Sequence, residues 1–261
     1  MKALHIAATG MAAQQMKVDV VSNNLANMST TGYNARRADF ADLHYQQLAR
    51  PGTVSASDGS MLPTGIQIGL GVRPSSVSIM PAQGSLSQTN GDLDIAIEGP
   101  GYIEVTLPSG GSGYTRDGAL KRSPEGLIVT SDGYPVAPGI TIPDDTRSLA
   151  INAAGEVYAY FENQVEPELI GQMTLTGFTN EKGLEAIGSN LFLETAASGA
   201  PLTGTPGVDG LGTLRQGYLE ESSVDPVPEV TELIKAQRGY ELNAKVITAA
   251  DQMLAATTQV R

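Results

Sequence analysis

The 261 residues carry a formal charge of −12, are 41% hydrophobic and 5% aromatic, and include 30 glycines, 15 prolines, no cysteine and no tryptophan. That length allows a sizeable core, and the apolar content argues against disorder. The lack of cysteine excludes a disulfide framework, a thiolate metal site and a thiol nucleophile, no run of about 18 apolar residues marks a membrane-spanning helix, and His5 and His44 leave little scope for histidine chemistry.

Breakers divide the chain. One glycine precedes Gly32, one follows residue 225, and every proline lies between Pro51 and Pro228. This predicts two long terminal helices around a β-rich centre. The first eight residues resemble a signal peptide in having one positive charge and small side chains. His5, Thr9, Gln14 and Gln15 interrupt the apolar stretch, so no cleaved signal is expected. A helix is predicted from Lys2 to Met28, with Leu4, Met11, Val18 and Leu25 recurring every seven residues. Ala7, Gln14, Val21 and Met28 fill the second heptad position, which makes a coiled-coil seam. Asn23, Asn24 and Asn27 weaken its last turns, and Ser29-Thr30-Thr31-Gly32 ends it.

Tyr45 to Gly65, with Pro51 and Pro63 inside it, has no periodicity and reads as a loop or an extended arm. Strand patterns follow. Leu93, Ile95 and Ile97 alternate with Asp94, Ala96 and Glu98, and Ile103, Val105 and Leu107 alternate after a Gly-Pro-Gly turn. Short apolar segments and turn dipeptides (Asn90-Gly91, Asp58-Gly59, Asp117-Gly118, Asp132-Gly133, Asp209-Gly210) continue through the middle. The last helix is predicted from about Pro226 to Gln259. Leu233, Tyr240, Ile247 and Leu254 recur every seven, with Ala236, Asn243, Ala250 and Thr257 between them.

The expected fold class is α+β, a discontinuous terminal α-helical coiled-coil domain flanking a β-rich, mainly antiparallel central body. Its divisions would be 1–33 with 225–261 as the helical domain, 34–92 with 205–224 as a connecting β region bearing the arm 45–65, and 93–204 as an outer β domain. An ordinary globular helix pair explains the stripes as well as a self-association seam does. Two helices alone leave apolar faces uncovered, which favours an oligomer. The interface candidates are Leu4, Met11, Val18, Val21, Leu25, Leu233, Tyr240, Ile247 and Leu254.

Catalytic patterns are absent. Gly69-Leu70-Gly71-Val72-Arg73-Pro74 lacks the third glycine of a dinucleotide loop, and no phosphate-binding loop or nucleophile elbow occurs. Asp92-Leu93-Asp94 starts like a calcium loop but lacks the later glycine and glutamate, and its aspartates are placed on the outer face of a strand. Glu220-Glu221 and Asp144-Asp145 read as solvated pairs. Neither an enzyme, a cofactor nor a metal is expected, and positions 39–225, with 23 acids against 8 bases, would repel nucleic acid.

Specific residues point further. Ala26, Asn27, Thr30, Gly32 and Tyr33 fill the N-terminal motif Ala-Asn-x-x-Thr-x-Gly-aromatic of bacterial flagellar rod and hook proteins. The stretch Leu233 to Lys245 resembles the family's end helix, and Gly84 to Asn90, Leu93 to Gly99 and Tyr114-Thr115-Arg116-Asp117-Gly118 are also similar. The chain is identified as a member of this family and is most similar to its distal-rod branch, whose extra arm the segment carrying Tyr45, Pro51, Pro63 and Gly65 resembles. Gly239 stands where alanine is usual. The resemblance implies a structural subunit of a straight, torque-bearing helical homopolymer that spans the periplasm, the terminal helices forming its inner tube. It also implies export through the flagellar export apparatus without a cleaved signal, and contact with proximal rod proteins, a hook or hook-junction protein and the bushing rings around the rod. A proximal rod or hook subunit, or a secreted glycan-binding or glycan-cleaving β protein, are the alternatives.

Overall fold

A stretch without proline and with a single interior glycine forms α1 (Lys2–Ala26), and the proline-initiated C-terminal segment forms α2 (Pro226–Gln259). Pro226 occupies the first helical position, where the missing N–H has no intrahelical acceptor to lose, and Pro228 still lies in the first turn. The computed structural model describes residues 2–51, 64–162 and 166–259, with side chains described through Ala256 in the last helix. By density of contacts the chain forms two units. One comprises Met1–Leu25, Arg36–Ser78 and Pro226–Arg261; the other comprises Ala26–Ala35 and Ile79–Asp225.

In the first unit α1 stops at Ala26, two residues before the expected Met28. The cause is local. The Asn24 side chain donates to the Arg36 carbonyl (2.8 Å) and accepts from the Arg36 N–H (2.9 Å), so the returning chain is held against the last turn. After it come β1 (Arg36–Asp42), β2 (Tyr45–Ala49), β3 (Ile66–Gly69) and β4 (Val72–Ile79), in two paired ribbons, β1 with β4 and β2 with β3. The loop expected over Tyr45–Gly65 is thus partly strand. Tyr45 pairs with Gly69 and Ala49 with Ile66 in antiparallel register. Pro63 and the Asp58-Gly59 turn lie outside the described residues.

The second unit is built from short strands, and every register within it is antiparallel. β5 (Leu86–Gln88) pairs with Tyr218–Glu220, and β6 (Ile95–Glu98) pairs with Thr213–Gln216. β7 (Tyr102–Thr106) and β8 (Ser112–Thr115) are the middle of a six-stranded sheet. In order its strands are Glu185–Gly188, Leu191–Leu193, β8, β7, Leu175–Gly177 and Leu202–Gly204. A three-stranded sheet, Thr146–Ile151, Glu156–Phe161 and Glu168–Gln172, completes the larger elements.

Side chains alternate across a strand, so β7 feeds two cores. Ile103 and Val105 join Ile95, Ile97, Ile128, Val157, Met173 and Leu175 in the main core. Tyr102, one residue away, joins Ile79, Tyr114, Leu184 and Phe192 in a second cluster. There the rings meet edge to face, Tyr114 on Phe178 at 4.8 Å and Tyr102 on Phe192 at 5.9 Å. The expected apolar-in, polar-out alternation fails at β6, where Ala96 is as buried as Ile95 and Ile97. The small alanine lets that strand be covered on both sides. Nor do Asp92 and Asp94 sit on a strand's outer face. Residues 92–93 form a turn, and Asp94 makes only an isolated bridge to Ala119, before β6 starts at Ile95.

Candidate assembly interface

Four contacts set the geometry of the helix pair. Gly10 lies beside Asn243, where an added Cβ would sit 2.9 Å from Asn243 Nδ2, and Gly239 lies beside Gln14, where a Cβ would sit 3.0 Å from Gln14 Cδ. Lys17 pairs with Glu232, and Asn24 Nδ2 donates to Glu229 Oε1 at 3.1 Å. Positions ascend in α1 as they descend in α2, so the helices run antiparallel. Small residues make the close approach possible: Ala7, Ala13, Val21, Ala236 and Ala250 are buried, with a glycine in each helix. The unusual Gly239 therefore has a packing reason. The seam is also polar. The Glu232 carboxylate accepts from Lys17 and from Lys235 Nζ (2.7 Å), which holds its pKa down at about 2.

The interface candidates fall into groups. Val21 is buried within the single chain. Leu4, Met11, Val18, Leu25, Leu233 and Ile247 are half-buried. Tyr240 and Leu254 are exposed, at 45% and 43%. The sequence stripes overlooked a further set on α2: Val227 (75% exposed), Ile234 (53%), Leu242 (62%), Val246 (48%) and Met253 (65%). Val227 with Ile234, and Val246 with Met253, are spaced by seven but fall on heptad positions other than the two stripes, and their signal was the apolar character of α2 around much of its circumference. A helix of that kind is built to be covered on more than one side. The base of the arm is similar. Tyr45, Leu48, Ile66 and Ile68 are exposed on the β2–β3 ribbon, and a two-stranded ribbon is marginal without something packed against it. Gly65 is obligatory there, because a Cβ would meet the Pro51 nitrogen at 2.9 Å; Pro51 itself is exposed.

The motif residues Ala26, Asn27, Thr30, Gly32 and Tyr33 form a turn in the second unit. The Thr30 N–H donates to the Asn27 carbonyl (3.2 Å), the Thr30 hydroxyl to Asn27 Oδ1 (3.1 Å), and the Tyr33 N–H to the Thr30 carbonyl (3.3 Å). Gly32 has φ +65°, and its N–H reaches the Glu220 carbonyl at 2.8 Å. A Cβ on Gly32 would lie 2.8 Å from the Arg116 carbonyl carbon. The motif thus encodes a turn that lets the chain press against backbone.

Beside this turn lies an ion pair that the sequence reading missed. Glu220 is 2% exposed rather than solvated; only its neighbour Glu221, with Asp144 and Asp145, faces solvent. Arg116 Nη2 and Nε donate to Glu220 Oε2 at 2.8 and 3.0 Å, and Nη1 and Nη2 also reach the carbonyls of Gly101 (3.1 Å) and Gly99 (3.2 Å). Glu220 Oε1 accepts the Gly84 N–H at 3.0 Å. Hydrogen bonds of this number are what make a buried pair tolerable. No group of three or more potential metal ligands occurs among the described residues, and no described helix is long and apolar enough to cross a membrane.

Comparison with known proteins accounts for this arrangement. A family model described as flagella basal body rod protein matches residues 4–34, a flagellar hook protein FlgE/F/G D1 domain matches 96–159, and a flagellar basal body rod FlgEFG protein C-terminal model matches 215–260. The flagellar basal-body rod protein FlgG of Caulobacter vibrioides is 52% identical over all of both chains. The chain belongs to the flagellar basal-body rod protein family. FlgG of Agrobacterium fabrum is 46% identical over 97% of each chain, and that of Bacillus subtilis 36% over 97% of each. A flagellar hook protein FlgE2 structure from Helicobacter pylori shares 15% identity, with a TM-score of 0.24 over 70% of this chain, and the chain spans 56% of that protein. The expected rod and hook resemblance is borne out, as is the fold class of terminal helices flanking an antiparallel β body.

Proposed function

We propose that the chain is a distal rod subunit of the flagellum, which polymerises into a stiff tubular shaft and passes torque across the periplasm to the hook. The full-length similarity to FlgG proteins supports the rod assignment. The single observation that carries self-assembly is the apolar surface of α2. Ile234, Leu242 and Met253 each leave more than half their area in water in the single chain. Covering such side chains is worth about 1.5–3 kcal/mol each, multiplied along a filament. In this reading Tyr240 and Leu254 join that surface, while Leu4, Met11, Val18, Val21, Leu25, Leu233 and Ile247 hold the helix pair that presents it. The terminal helices line the tube. The partners are further copies, proximal rod proteins, hook-side proteins, the surrounding rings and the export apparatus, reached without a cleaved signal. The role is structural, without catalysis.

Electron microscopy of the concentrated protein tests this. Wild-type protein forms straight filaments. Tyr240→Asp with Leu242→Asp, both at exposed positions, leaves the helical circular dichroism intact and abolishes filaments. Normal filaments from that variant count against the proposal. The arm has its own test. Deleting residues 50–64, which join β2 to β3 in the sequence, should leave filaments that are curved or softer, measured as persistence length in micrographs, because the arm is proposed to wedge against an axial neighbour.

A further inference from the structure

The second unit contains a pocket of about 280 Å³ that the rod assignment does not use. The Asn34 side chain, 6% exposed, lines it and has no partner for its Nδ2 donor among the described residues. A buried amide donor left unpaired is costly, so such a group signals a missing acceptor. The charge of the pocket is settled by its neighbours. Arg116 contributes none in net, because Glu220 neutralises it, and two of its other donors are taken by carbonyls. Glu181 remains. Its Oε2 accepts a long 3.3 Å bond from the Tyr102 hydroxyl, and Oε1 has no partner among the described residues. The pocket therefore offers one carboxylate, one orphaned amide donor and an apolar rim at Pro100.

We infer that this pocket receives an arginine side chain from a second copy of the chain, the guanidinium on the Glu181 carboxylate and a carbonyl of the incoming backbone on Asn34 Nδ2. A planar guanidinium fills a carboxylate-bearing slot of this size and pairs with it through two parallel N–H···O bonds. A second copy can supply it, since Arg73 and Arg147 are exposed and neither makes an ion pair among the described residues. The inference rests on self-assembly as the function. An empty, hydrated pocket is the competing state, because this volume has room for several waters.

Two measurements test it. The unassembled full-length chain is titrated with N-acetyl-arginine methylamide while the Asn34 side-chain amide signal is followed by NMR. A saturable shift that weakens about tenfold in Glu181→Gln, and is absent with N-acetyl-norleucine methylamide, is expected. No shift, or one insensitive to Glu181→Gln, overturns the inference and indicates a hydrated pocket. In assembled filaments, a photocrosslinking residue at the exposed rim position 82 should capture a peptide of a neighbouring copy that contains an arginine. Capture only within the same chain, or of peptides lacking arginine, overturns the inter-copy contact. Filaments that form while both readouts fail remove this inference and leave the assembly proposal standing. Absence of filaments removes the assembly proposal, and the titration still decides the pocket.

Discussion

Gly32 is the residue on which the N-terminal motif turns. Its φ of +65° disfavours any side chain, and the Arg116 backbone leaves no space for one. Gly32→Ala should lower the stability of the second unit by about 2–3 kcal/mol, seen as a lower urea midpoint with unchanged slope. An unchanged midpoint would show that the turn is not under this constraint. The contrast with Glu220 marks how far single residues are legible. Gly32 was visible in sequence because a glycine after Ser-Thr-Thr stops a helix. Glu220 was not, because its partner Arg116 lies 104 positions away and nothing local distinguishes a carboxylate that meets a guanidinium from one that meets water. Asn24 was half visible. Its helix-weakening tendency is local and readable from residue type, whereas its role in binding the returning Arg36 backbone depends on where the chain goes next.

At the scale of the helices, periodicity located α2 to the residue and α1 to within two residues. The seam it picked out includes Gln14 and Asn243 at the second heptad position, but not the glycines they lie against, Gly239 and Gly10, whose missing side chains let the helices come close. The cross-seam contacts carry a pH signature. Glu232 has a pKa of about 2 in the folded chain, below its ordinary value of 4.5, because Lys17 and then Lys235 donate to it. A depressed carboxylate pKa stabilises the fold above the unfolded value, and that stabilisation is lost as pH falls from about 4.5 towards 2. Because the side chain is 36% exposed, the effect is modest and screened by salt. Helix melting temperature should therefore drop over that window in wild type, and drop less in Glu232→Gln. Parallel curves for the two proteins would place the acid sensitivity elsewhere.

For the whole molecule, two tendencies oppose each other in a filament. The apolar area on α2 and on the arm base draws copies together, while each copy brings a net charge of −12, with 23 acids against 8 bases over positions 39–225. Apolar contact is short-ranged and little affected by modest salt; like-charge repulsion between exposed groups extends over a Debye length, about 30 Å at 0.01 M and about 8 Å at 0.15 M ionic strength. Raising sodium chloride between those limits should lower the protein concentration at which filaments appear, read by sedimentation or light scattering. If ion pairs between copies dominated assembly instead, the same titration would raise that concentration. The direction of the shift thus reports which force holds the shaft. The apolar exposure of Val227, Ile234, Leu242 and Met253, on a segment (226–261) whose four acids are matched by four bases, places the expectation on the first.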